Sequence, residues 1–401
     1  MLEVKMKPNP GGIITGDAII DREQEIQAIW KALQNQSVVI TSERRVGKTS
    51  ILRKMEENPK DEWHPILYWV EGKQHPIEFV EGLYEELLKK SLLKVKFHHL
   101  KKFYSKYVGG KEIGSWKLPH IMENWKPLLE SMTEDIAESG NKVLLMFDEI
   151  PLMLTKFKNA KDLGPQACMD FLDTLRGLRN KFEGSKKISF IFCGSIGIQL
   201  VIKDLKKEHG YNSDPINNMK IIPITGMNED GAFELCDKLV EDGDFNFEEN
   251  TGKKEIFGYI CRKTDRLPFY IQHVFQRIYD SNEHVISRRL VDKSIDYLLN
   301  DPMDEGYFRH YFDRIETYYD EKSKEIALPL LARLSQKDNY WEESSIINIL
   351  KEKYDFDEER IKETLELLWS DHYLVRILKN KQRNYKFRYS ILRKWWSVNK
   401  G

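Results

Sequence analysis

The stretch Ser37-Val38-Val39-Ile40-Thr41-Ser42-Glu43-Arg44-Arg45-Val46-Gly47-Lys48-Thr49-Ser50 constrains this chain more than any other. It reads as a buried strand, a tight loop, then Gly-Lys-Thr opening a helix whose apolar side carries Ile51, Leu52 and Met55. Such a loop turns backbone N–H groups and a helix N-terminus toward an anion, while the lysine neutralises it. The pattern G-x-x-x-x-G-K-[ST] is met except at its first position, where Ser42 replaces glycine. A G-K-T-S match alone is weak; the strand before it and the helix after it supply the required setting. The reading is a nucleoside triphosphate site built from Arg44, Arg45, Val46, Gly47, Lys48, Thr49 and Ser50.

A phosphate loop needs a partner carboxylate for magnesium and a base that orients attacking water. Val143-Leu144-Leu145-Met146-Phe147-Asp148 is an apolar strand ending in an acid, with Glu149 next. This is the Walker B arrangement: Thr49 and Asp148 to hold Mg2+, Glu149 to orient water. A strand that simply ends in two solvated acids is the bland alternative. Further strands are expected at Pro65–Val70, Ile188–Cys193 and Met219–Ile224, with helices at Asp21–Leu33, Pro76–Leu93, Met122–Glu138 and Cys168–Lys181. Asp21 is expected to be the N-cap of the first helix. Near-continuous apolar strands alternating with helices predict an α/β parallel sheet covered on both faces. From Asn228 to Leu299 the pattern is all helical. After Asp301 come helices at Lys322–Ser335, Glu343–Lys353 and Asp357–Ser370, then a ribbon, Tyr373–Ile377 and Tyr385–Tyr389. Three helices and a two-stranded wing predict a winged-helix domain.

Asp21-Arg22-Glu23, the Arg44–Ser50 loop, Phe147-Asp148-Glu149-Ile150 and Cys193-Gly194-Ser195 occur in that order. Together they resemble the prokaryotic archaeal ATPase family, near the STAND NTPases and origin-recognition ATPases within the AAA+-like, ASCE-class P-loop NTPases. The resemblance covers roughly residues 15–275. It implies an ATPase core at 1–226, a helical lid at 227–300 and the winged helix at 301–401. It also implies ATP and Mg2+ as cofactors, with Lys48, Glu149 and Ser195 in the catalytic set and Ser195 as the polar sensor 1. Asp21 and Arg22 would lie near the adenine or ribose, and Pro268, in Thr264-Asp265-Arg266-Leu267-Pro268, near the base. The chain departs from the family pattern twice. Ser42 stands at the first loop glycine, expected to tighten the loop or slow turnover. Asp265-Arg266 stand where glycines precede Leu267-Pro268, leaving Arg266 as a candidate sensor 2 arginine or merely a helix-capping charge. Arg176 and Arg179, three apart, would face a neighbouring subunit's phosphate in an oligomer, or simply form a solvated basic face.

Two stretches are candidate partner surfaces. In the tail, Lys379, Lys381, Arg383, Lys386 and Arg388 lie in a run without acids after Asp371, interleaved with Tyr385, Phe387, Tyr389, Trp395 and Trp396. Such a wing suits a DNA backbone with stacking on bases, or its aromatics finish a small core. The third helix carries Asp357, Glu358, Glu359, Glu363 and Glu366, which disfavours insertion beside phosphates. The second stretch, 94–118, is basic and aromatic, and reads as an insertion that touches a substrate or partner, or as a surface excursion. His98-His99 there lacks further ligands for a metal site.

Net charge is −1, so nucleic-acid affinity must come from local patches. Cys168, Cys193, Cys236 and Cys261 are scattered, which predicts reduced thiols and a cytoplasmic setting; no apolar run approaches a membrane span. Three functions follow. One is a Mg-ATP-hydrolysing switch coupled to DNA, by family analogy in mobile-element control or anti-phage defence. The alternative is a nucleotide-sensing scaffold that docks a protein effector, a toxin or nuclease, with little turnover. The third, a sequence-specific regulator, needs a base-reading helix that the acidic charge makes weakest.

Overall fold

The computed structural model describes residues 6–12, 16, 19–90, 92, 124–195, 197–241, 245–249, 251–281, 283–300 and 302–401, with backbone alone at 303–306. The basic stretch at 94–118, including His98 and His99, lies outside the described residues. The chain divides into two compact units, Ile14–Ile224 and Thr225–Gly401 with Met1–Ile13.

In the first unit, β1 (Val38–Thr41), β2 (Trp63–Trp69), β3 (Lys142–Asp148), β4 (Ile188–Gly194) and β5 (Lys220–Pro223) form a five-stranded sheet in the order β2-β3-β4-β1-β5. Every pairing is parallel. The inner strands β1, β3 and β4 are buried almost throughout, which is why they read as apolar runs instead of alternating. The edges tolerate Pro65 and Pro223, since an edge strand can lose a ladder N–H.

Around the sheet lie α1 (Glu23–Leu33), α2 (Lys48–Glu57), α3 (Pro76–Lys89), α4 (Trp125–Glu138), α5 (Ile150–Asn159), α6 (Gly164–Glu183) and α7 (Ile198–His209). A chain of edge-on aromatics ties the helices to β3: Phe79 meets Phe147 at 5.0 Å and Phe171 at 4.9 Å, and Phe157 meets Phe171 at 5.3 Å. Helices α5 and α7 were not anticipated. Each begins within a few residues of a strand's end, so its start signal merges with the strand; α5 carries Pro151 in its first turn. The N-cap of α1 is Arg22, not Asp21; both residues have left-handed backbone, φ 86° and 62°.

The second unit opens with α8 (Glu229–Val240), capped by the Asn228 side chain on the Gly231 N–H, then α9 (Gly252–Lys263), α10 (Pro268–Asp280) and α11 (Arg288–Asn300). Two short strands, β6 (Asn246–Phe247) and β7 (Val285–Ile286), pair in parallel within this stretch, which the all-helical expectation missed. There follow α12 (Pro302–Tyr318), α13 (Glu321–Ser335), β8 (Trp341–Glu342), α14 (Glu343–Lys353), α15 (Glu358–Ser370), β9 (Leu374–Lys379), β10 (Gln382–Phe387) and α16 (Ser390–Asn399). Here β8-β10-β9 form an antiparallel three-stranded sheet. The ribbon turns on Asn380-Lys381 alone, because Gln382 pairs with Lys379, not on the longer loop from Leu378 to Asn384. Both turn residues have positive φ, 52° and 62°, the handedness a twisted hairpin requires.

Candidate functional site

Ligands of parallel sheets bind beyond the carboxyl ends of the strands. There the register places Thr41 opposite Gly194 and Asp148 opposite Trp69. The phosphate loop after β1 therefore shares one edge with the acids after β3 and the serine after β4.

The loop is shaped by two left-handed residues, Arg45 at φ 74° and Gly47 at φ 95°. Gly47 caps α2 without a side chain, so the first-turn N–H groups stay available for an anion. Ser42 has no positive φ, so the missing first glycine costs no backbone strain. Its hydroxyl turns onto the Glu43 carbonyl at 3.4 Å. Lys48 is buried, and its ammonium donates to Glu43 O at 2.6 Å and Ser42 O at 3.3 Å. Arg22 lies 2% exposed; it donates to Val46 O at 2.7 Å and to Glu25 Oε1 at 2.7 Å. The resemblance put Arg22 near the adenine or ribose; here its guanidinium braces the phosphate loop. Arg44 is exposed, and Thr49 and Ser50 are half-buried.

Thr49 Oγ1 donates to Asp148 Oδ2 at 2.7 Å, joining the Gly-Lys-Thr end of the loop to the acid of β3. Asp148 is 5% exposed and its Oδ1 is buried without a hydrogen bond. Burial, then the neighbouring Glu149 charge, raise the Asp148 carboxyl above the ordinary carboxylate value; Thr49 and Lys48 offset this in part. An orphaned buried oxygen, beside a hydroxyl already oriented toward the same carboxyl, fits a small hard cation. Among the described residues no cluster of three or more His, Cys, Asp or Glu could hold a metal by itself. The set suits Mg2+, which takes one or two protein oxygens and completes its shell with water and phosphates.

Glu149 sits at φ 63°, a left-handed position that lifts it off the strand before α5 begins. Its Oε2 accepts two hydrogen bonds from Ser195, from the backbone N–H at 2.8 Å and from Oγ at 2.9 Å. Ser195 was expected beside the Walker B tip, as the polar sensor 1 or as a plain turn serine; its hydroxyl lies there and holds Glu149. The position after β4, beside the strand that ends in Asp148, is the one the sequence order of the strands suggests; the bond to Glu149 itself is what the structure adds.

Other expectations resolve differently. Arg179 is 1% exposed and donates to Pro215 O at 2.6 Å and Asn217 O at 2.7 Å, so it pins a loop and cannot reach another subunit. Arg176 donates to Ser213 Oγ at 2.8 Å. In the second unit, Tyr385, Phe387, Tyr389, Trp395 and Trp396 are all buried, so they build a core and offer no stacking face. Arg383 pairs with Glu366 at 2.6 Å, Arg376 with the same carboxylate at 2.5 Å, and Lys386 with Asp338 at 3.0 Å. Lys379 and Lys381 are exposed at the ribbon tip beside Leu378, which is 76% exposed; Arg388 is half-buried. Pro268 opens α10, preceded by Asp265 and Arg266, both with left-handed backbone (φ 51° and 54°) where the resemblance expects glycines.

The model of an ATPase domain found predominantly in Archaea matches residues 19–274. Among solved structures, the chain is similar to the Walker-type ATPase PABY2304 of Pyrococcus abyssi, at 16% identity over 98% of both chains and a TM-score of 0.60. That likeness shows a shared α/β P-loop fold. The RuvB Holliday junction branch migration motor of Thermotoga maritima aligns at 12% identity, 92% of this chain and 93% of its own, with a TM-score of 0.38, too low to carry an argument. No curated protein matches the chain. Among the described residues no helix is long and apolar enough to cross a membrane.

Proposed function

We propose that this chain, which belongs to the family of ATPase domains found predominantly in Archaea, hydrolyses Mg-ATP and works as a molecular switch. The observation that carries this reading is the joining of three elements at one sheet edge. The loop lysine lies on its own loop carbonyls, Thr49 is bonded to Asp148, and Glu149 is clasped by Ser195.

In this reading the loop N–H groups and Lys48 bind the β- and γ-phosphates, and Arg22 keeps the loop in shape through Val46. Thr49 and Asp148 would hold Mg2+, which neutralises phosphate charge when bound. Glu149 orients the attacking water and draws on its proton, while Ser195 keeps the carboxylate aimed. Asp21 and Pro268 would border the base, as the family resemblance implies. Nucleotide state would then bias the pose of the 227–300 lid and the 301–401 winged-helix segment.

The output we infer is contact with a DNA backbone through Lys379 and Lys381, the wing cations that protrude at the ribbon tip. Control of mobile elements or defence against phage would be one use of such a switch. The test is ATP turnover by wild type, Lys48→Ala and Glu149→Gln, each with and without duplex DNA at two salt concentrations. DNA-stimulated turnover that needs both residues, and a salt-dependent affinity weakened by Lys379→Glu with Lys381→Glu, would support the reading. Turnover indifferent to DNA would remove the DNA arm. A second reading, a nucleotide-sensing scaffold that docks a protein effector, is favoured by the exposed Ile377 and Leu378 on that same tip and by the acidic α15 beside it.

A further inference from the structure

Cys236 on α8 and Cys261 on α9 are both buried, and their thiols share a hydrogen bond across the packed helices. Their surroundings differ. Cys261 lines a cavity of about 550 Å³ whose other walls include Glu229, Arg262, Arg266 and Arg388. Cys236 does not line it. The hydrogen bond from Cys236, helped by the nearby Arg266 and Arg262, holds the Cys261 thiol below its ordinary value in spite of burial and Glu229. Burial pushes the Cys236 thiol well above its ordinary value. The remaining two are pushed up as well, Cys168 to about 12, and Cys193 further inside the sheet. Reactivity of a thiol follows its thiolate fraction and its access to the oxidant. Only Cys261 of the four combines a place on that cavity's wall with a second thiol in reach.

We propose that Cys261 and Cys236 are a redox modification site, in which a hydroperoxide entering the cavity converts the pair to a reversible disulfide. The Cys261 thiolate attacks one oxygen of hydrogen peroxide, the O–O bond breaks, and the departing hydroxide takes a proton to become water. Cys261 is left as a sulfenic acid. The Cys236 sulfur, giving up its proton, then attacks the sulfenic sulfur and displaces hydroxide, which leaves as a second water. Two thiols are oxidised by two electrons and one peroxide is reduced; an external dithiol reverses the step. The bond would fasten α8 to α9, and α9 runs directly into the Asp265-Arg266 turn. Oxidation would thereby fix the helix that leads into the turn holding the candidate sensor arginine, Arg266.

The experiment treats the full chain with hydrogen peroxide, alkylates the remaining thiols after unfolding, and maps all four cysteines by peptide mass. The expected result is a cross-linked peptide pair holding Cys236 and Cys261, two hydrogens lighter than the reduced pair, with Cys168 and Cys193 alkylated. In Cys236→Ser, Cys261 should be captured as a sulfenic acid by dimedone; in Cys261→Ser, Cys236 should remain a thiol. Wild-type protein alone decides the matter if a variant fails to fold. Alkylation of both Cys236 and Cys261 after peroxide, or oxidation spread evenly over the four cysteines, would overturn the proposal.

Discussion

Glu149 is held in place by its neighbour before any substrate is bound. Two donors from one residue fix its carboxylate, so removing the hydroxyl alone leaves the backbone N–H bond but frees the side chain to swing. Ser195→Ala should lower kcat by roughly 10- to 100-fold with KM nearly unchanged, since the loss is one of aim. A matching rise in KM with kcat intact would mean that Ser195 touches nucleotide instead. Gly47→Ala tests the loop: a side chain at φ 95° costs about 1–2 kcal/mol in the left-handed region. Nucleotide titration should show weakened binding, with Ser42→Gly close to wild type because Ser42 bears no such strain. Lys48, Asp148 and Glu149 were legible in the sequence because their chemistry is set by neighbours one or two residues away. Arg22 on Val46 was not, because that bond crosses between elements; Ser195 was placed beside the acids, but its two bonds to Glu149 were not foreseen. Arg179 read as a surface cation because its spacing on α6 says nothing of the loop that folds over it.

The turn between α9 and α10 shows how an element can be tied down by one carboxylate. Asp265 accepts from the Ile391 N–H at 2.8 Å, capping the start of α16 from a distant turn. Burial pushes its carboxyl up to about 6, against the opposing pull of the Ile391 and Ser390 N–H groups. The folded value lies above the ordinary 3.8, so the folded state binds more protons between the two. Stability should therefore be greatest below about pH 4 as far as this group is concerned, and fall as pH rises through 6. Urea melts of wild type and Asp265→Asn across pH 4.5–7.5 check the sign; the variant should flatten the slope. Asp371, also pushed up by burial, adds slope of the same sign and keeps the profile from becoming level. Asp371 is itself half of a buried pair, with Arg314 Nε at 3.3 Å and Tyr319 donating at 3.0 Å. Asp371→Asn should cost about 3–5 kcal/mol, because it leaves the guanidinium buried and uncompensated. A loss below 1 kcal/mol in the same melts would contradict that account. The helices around these turns were readable from periodicity; the side chains of Asp320 and Asp357, which accept from the Ser323 and Arg360 N–H groups at their starts, were not singled out as caps. The left-handed Asp265-Arg266 pair was visible only as a departure from a glycine pattern.

For the whole molecule, alternation of buried strands and helices predicted the parallel sheet, and the observed order β2-β3-β4-β1-β5 explains the site. Strand order is a long-range property; the observed order sets the serine after β4 between the loop after β1 and the acids after β3, beside the acids as expected. The tail went the other way: its aromatic and basic residues looked like a nucleic-acid surface, yet burial takes the rings and Glu366 and Asp338 occupy several of the cations. Composition cannot tell a small domain's core from a stacking platform, since both need the same rings. The central claim remains the hydrolytic site. The most direct test is steady-state phosphate release from Mg-ATP by wild type beside Glu149→Gln, with nucleotide binding measured on both. The account predicts tight binding by both proteins and a fall in turnover of about 100-fold or more in the variant. Equal turnover by the two, or none by wild type despite tight binding, would contradict it.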